Sequence, residues 1–98
     1  MLKCSQPLLE QYTLRAWKLA SAGRYQESLA QLRLAQATAP ELAELRLQAG
    51  IVLLEAYAEH PREIFLQDAQ AEFCAALELR ADWPEALELL GKCKGSAI

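Results

Sequence analysis

Between Ala16 and Pro40 the chain reads as the end of one helix, a turn at Gly23, and a second helix closed by a proline. This stretch restricts the fold more than any other. Gly23 stops the first helix because glycine enters the left-handed cap region without a steric cost. The next helix restarts almost at once, with Tyr25, Ser28, Leu29, Leu32 and Ala35 as its inward stripe. Pro40 forbids continuation, because its ring clashes with the preceding turn and it has no amide to donate. So tight a connection forces the two helices antiparallel.

The flanks continue in the same style. Leu8, Leu9, Tyr12, Ala16, Leu19 and Ala20 follow the i, i+3, i+4, i+7 rule of an amphipathic helix, with Ser5 and Pro7 suited to its start. A third helix is expected to begin at Glu41, an acid favoured there by the helix dipole. It carries two apolar stripes. Leu42, Leu45, Ala49, Val52, Leu53 and Ala56 form one; Leu47, Ile51, Leu54 and Ala58 form the other. A helix that is apolar on both sides is an interior element or one that lines a groove.

Glu59-His60-Pro61-Arg62 then breaks the pattern, and Ile64, Phe65, Ala69, Phe73, Ala76 and Leu77 make the stripe of a fourth helix, ending near Arg80-Ala81. Asp82, with Pro84 and Glu85 behind it, predicts a cap for a short fifth helix bearing Leu87, Leu90 and Cys93. Lys92 and Lys94 suit its C-terminal end, and residues 95–98 are expected to fray.

Composition narrows the function. The 98 residues fit one domain spanning 1–98. Val, Ile and Thr are scarce, which argues against a sheet and for an all-α fold. A net charge of −3 offers nucleic acid no basic footprint. The charge is uneven, with the excess acid in residues 50–98. Cys4, Cys74 and Cys93 are odd in number and widely spaced, unlike a disulfide framework, and fit a reducing compartment. No signal peptide and no apolar run of about 20 residues is visible, so a cytoplasmic protein without membrane contact is expected.

Enzyme chemistry finds no support, and no cofactor or metal is expected. His60 is the only histidine, which leaves zinc without ligands and a catalytic triad without a base. Glu41/Glu44 and Glu85/Glu88 read as solvated helix faces. Arg15, Lys18, Arg24 and Arg46 read as solvated surface rather than a basic patch.

Self-similarity is the strongest signal. The small residues Ala16, Gly50 and Gly91 lie 34 and 41 residues apart, and Ser28, Leu32 and Ala35 find counterparts 41 residues later in Ala69, Phe73 and Ala76. A 34-residue period with seven extra residues between Gly50 and Ala69 accounts for both spacings. A small residue lets paired backbones approach, and the Leu or Phe fills the space beside that contact.

On these residues the chain resembles the tetratricopeptide repeat family. Ala16, Leu19, Gly23, Tyr25, Ser28, Leu32, Ala35 and Pro40 fall at family positions, and Gly23-Arg24-Tyr25-Gln26-Glu27-Ser28 stands where the family has its Gly-x-Tyr-x-Glu-Ala turn. The resemblance implies a right-handed superhelix of antiparallel hairpins made of five helices. Repeat one would span about 9–42, repeat two with its insert about 43–83, and a capping helix about 84–94. Arg15 at a usual leucine site, Ser28 for alanine, and the insert around 59–65 depart from the pattern. The insert predicts longer helices and a displaced turn.

Trp17 lies about 120° off the Tyr12/Ala16/Leu19 stripe and is equivalent to Ile51 at the 34-residue offset. The resemblance implies a concave, partner-binding groove lined by Thr13, Trp17, Ala20, Leu47, Ile51 and Leu54. The positions where some family members clamp a terminal carboxylate hold Thr13, Trp17, Gln48, Glu85 and Leu89, which lack the basic groups such a clamp uses. An apolar segment of another protein is the implied ligand, and a small adaptor or chaperone the implied role. A homo-oligomer joined through the same surface is the alternative.

Overall fold

The computed structural model describes residues 6–95, and side chains within 8–93. The protein is all-α, and the described residues form five helices: α1 (Gln6–Ser21), α2 (Tyr25–Thr38), α3 (Ala43–Glu59), α4 (Glu63–Leu79) and α5 (Pro84–Gly95). Neighbours in sequence are neighbours in space, α1 on α2, α2 on α3, α3 on α4 and α4 on α5. The body measures 49 × 32 × 16 Å.

The first turn follows from its glycine. Gly23 has φ +82°. The Arg24 amide donates to the Leu19 carbonyl at 2.8 Å and the Gly23 amide to Ala20 at 3.0 Å, closing α1 in a Schellman arrangement. The second hairpin turns on Pro61 instead, with the Arg62 amide reaching back to the His60 carbonyl at 2.6 Å. Both turns take three residues.

The seven-residue insert is therefore absorbed by the helices. α3 runs four residues past Glu55, the counterpart of Ser21 at an offset of 34. α4 begins three residues before Leu66, the counterpart of Tyr25 at an offset of 41. Each helix gains about one turn, and the displaced turn lands at residues 60–62.

Several boundaries and stripes differ from the sequence expectations. α3 starts at Ala43 rather than Glu41, because Pro40 and Glu41 form a turn closed by the Leu42 amide on the Ala39 carbonyl at 3.2 Å. Trp83, not Asp82, occupies the cap position of α5, and its carbonyl accepts the Leu87 amide at 3.0 Å. Leu8, Leu42, Ile64 and Leu87 are exposed although the periodicity placed them in inward stripes. On α5 the buried positions are Ala86 and Cys93, with Leu89 and Leu90 partly buried beside them. Gly95 closes α5; Ser5 and the rest of the expected tail lie outside the described residues.

The core is built from small residues with a few large ones wedged between. Ser28, Leu32 and Ala35 on α2 and their counterparts Ala69, Phe73 and Ala76 on α4 are all buried. Ser28 Oγ donates to the Ala16 carbonyl at 2.6 Å, so the hydroxyl is satisfied where α1 and α2 meet. Gly50 on α3 faces the Phe73 ring so closely that a Cβ would fall inside it. Gly91, by contrast, has open space.

A buried carboxylate joins three helices. Glu72 on α4 accepts from Arg33 of α2 at 2.7 Å and from Arg46 of α3 at 3.4 Å. Arg33 also donates to Gln36, whose amide reaches the Leu45 carbonyl at 3.4 Å. Among the described residues no helix is long and apolar enough to cross a membrane.

Candidate functional site

A hollow of about 610 Å³ opens between α1 and α3 and is floored by Leu32 of α2. α1 contributes Glu10, Thr13, Leu14, Ala16, Trp17 and Ala20; α3 contributes Gln48, Ile51, Val52 and Glu55. The volume lies within the range of roughly 300–1,000 Å³ usual for ligand pockets. It exists because α1 and α3 are both packed on α2 through alanines and Leu32, which leaves their outer flanks splayed.

Trp17 stands at the lip, 69 % exposed, beside Leu14 at 52 %. A large indole left in water forgoes a favourable burial worth about 2 kcal/mol or more. Leu8 on the same helix is also exposed. Leu8 points about 180° away from Trp17, so the exposed apolar group beside the hollow is the Leu14/Trp17 pair.

Of the groove residues implied by the sequence, the structure brings Thr13, Trp17, Ala20 and Ile51 together around this hollow. Leu47 and Leu54 are elsewhere. Leu47 is buried in the core cluster formed with Phe73, Ala86 and Cys93, and Leu54 packs against that cluster. The reason is angular. At 100° per residue the Gln48/Ile51/Val52/Glu55 face of α3 is centred about 100° away from Leu47 and Leu54. The cluster that takes up Leu47 and Leu54 draws on α4 through Phe73 and on α5 through Ala86 and Cys93. Of the carboxylate-clamp positions, Gln48 lies in the hollow, Glu85 is exposed on α5, and Leu89 packs into the core.

A shallower hollow of about 420 Å³ continues from the first, sharing Ala20 and Glu55 and adding Ser21, Tyr25, Ala58 and Glu59. Desolvation pushes the Tyr25 hydroxyl above its ordinary 10.0, and the Glu59 and Glu55 carboxylates push it in the same direction. His60 Nε2 stands 3.5 Å from Glu59 Oε1, both side chains being exposed.

Sequence reasoning missed two structural features. Trp83 is buried against the core with the Arg80 guanidinium over its ring at 4.6 Å. Glu72 and Gln36 are buried too, and a signal for them existed: at 100° per residue each falls inside an apolar arc, Glu72 between Phe65 and Leu79, and Gln36 between Leu29 and Leu32. Arg46, read as solvated, reaches the buried Glu72 at 3.4 Å, whereas Arg24 stays on the surface as read, in an exposed pair with Glu27 at 2.7 Å.

These features define an all-α protein with an apolar hollow between α1 and α3 and an exposed tryptophan at its edge. No protein-family model, no curated protein and no solved structure matches the chain.

Proposed function

We propose that this protein is a non-enzymatic interaction module, a small adaptor or chaperone, that holds an apolar segment of a partner protein between α1 and α3. The observation that carries the reading is Trp17, largely exposed at the edge of a 610 Å³ hollow whose walls are mainly apolar. A tryptophan beside a preformed cleft is the kind of group that dominates binding energy at protein interfaces. The resemblance to tetratricopeptide repeats supports the same role, since the hollow falls on the first and third helices, where that family's groove would lie.

Trp17→Ala tests it directly. Bait protein is used to capture partners from native lysate, and retained proteins are identified by mass spectrometry. A partner held by the wild type should be lost from the variant while helical content stays unchanged. Retention of the same partner by both would refute the reading. The second reading is self-association through Leu14 and Trp17, favoured by their adjacent exposure on α1. Light scattering separates the two, since Trp17→Ala would then convert a dimer into monomers.

A further inference from the structure

We infer that the segment held in the hollow is cationic as well as apolar, an amphipathic stretch with lysine or arginine flanking its buried face. The inference rests on the proposed role of the hollow and adds the partner's charge. Three carboxylates, Glu10, Glu55 and Glu59, line the two joined hollows, and no lysine or arginine lines either. Glu10 lies in the larger hollow, Glu59 in the smaller, and Glu55 borders both. Arg24, beside Tyr25 in sequence, is already engaged by Glu27. The exposed cation-capable group at this end is His60, next to Glu59.

An apolar trough bordered by acid selects among apolar ligands by charge. Opposite charges at the rim accelerate encounter and hold register, while like charges are rejected. The same arrangement argues against a second copy of this chain as occupant. A two-fold contact sets the same patch against itself, so the carboxylates of one copy would meet those of the other. A terminal carboxylate or an acidic peptide is disfavoured on the same ground.

Three synthetic helical peptides of about 18 residues, with one shared Leu/Ile stripe and Lys, Gln or Glu on the flanks, provide the test. Binding is followed by isothermal titration calorimetry, with Trp17→Ala measured alongside the wild type. The Lys peptide should bind about tenfold more tightly than the Gln peptide at low salt, and the Glu peptide most weakly. The preference should vanish near about 1 M salt, where screening acts within about 3 Å. It should also vanish in the triple variant Glu10→Gln/Glu55→Gln/Glu59→Gln.

Equal affinity for the Lys and Gln peptides would overturn the charge inference and leave the hollow as a binding site. Failure of all three peptides, or Lys-peptide binding untouched by Trp17→Ala, would overturn the hollow reading as well. A concentration-dependent dimer abolished by Trp17→Ala would make a second copy the occupant and overturn the inference.

Discussion

Gly50 and Phe73 show how a single pair of residues sets the spacing of two helices. In the first hairpin the equivalent positions hold Ala16 and Leu32, a larger small residue beside a smaller large one. In the second hairpin the exchange runs the other way, and the Phe73 ring occupies the place of the missing Cβ. Volume is conserved across the pair, as close-packed interiors demand. Gly50→Ala should therefore destabilise by about 1–2 kcal/mol, overpacking outweighing the roughly 1 kcal/mol gained in helix propensity. Phe73→Leu alone opens a cavity and should cost about 1–2 kcal/mol. Together they rebuild the Ala/Leu pairing of the first hairpin. The double variant should be more stable than the two costs predict when added, by about 1 kcal/mol, in urea unfolding. Strict additivity would show that the two residues do not share one space.

At the scale of the element, the turns decide where helices stop, and they were largely legible. Gly23 announced its own left-handed conformation, and Gly23→Ala should cost about 1–2 kcal/mol, with Gly23→Asn costing less. The cost is conformational, since a Cβ there would meet only Glu59 Oε1, at an ordinary 3.7 Å. A thermal midpoint unchanged in Gly23→Ala would contradict this. The seven-residue insert was legible as a length and as a shape, longer helices with a displaced turn. Within the added length Ala56 is buried and Phe65 packs against the core, which anchors the extra turns. The starts of α3 and α5 were displaced by one or two residues, because in both places a proline fits a turn or a first helical position equally well.

Across the whole molecule, burial ties α5 to the fold through Cys93 and the tyrosine edge of the trough through Tyr25. Burial pushes the Cys93 thiol above its ordinary 9.0, with Cys74 acting in the same direction and a backbone hydrogen bond opposing it. Tyr25 is pushed above 10.0. Both shifts favour the neutral form in the folded state. Their contribution to stability is complete below pH 9 and is lost as the pH climbs past 9 and then 10. The thermal midpoint should fall as the pH rises from about 9 to about 11, and a flat profile over that range would be inconsistent with these environments. Thiol reagents should modify exposed Cys74 in the native protein and reach Cys93 only on unfolding.

Helix content, the order of hairpins and the register of the 34- and 41-residue offsets were determined by the sequence alone, because capping, proline chemistry and 3.6-residue periodicity are local. Which of the equivalent faces stays open was decided only in three dimensions. Thr13, Trp17 and Ala20 are related to Leu47, Ile51 and Leu54 by one offset, yet Leu47 and Leu54 pack with the cluster that includes Phe73, Ala86 and Cys93 while Trp17 stays largely exposed. Periodicity gives the direction in which a side chain points; only the packing of the next helix says what it meets.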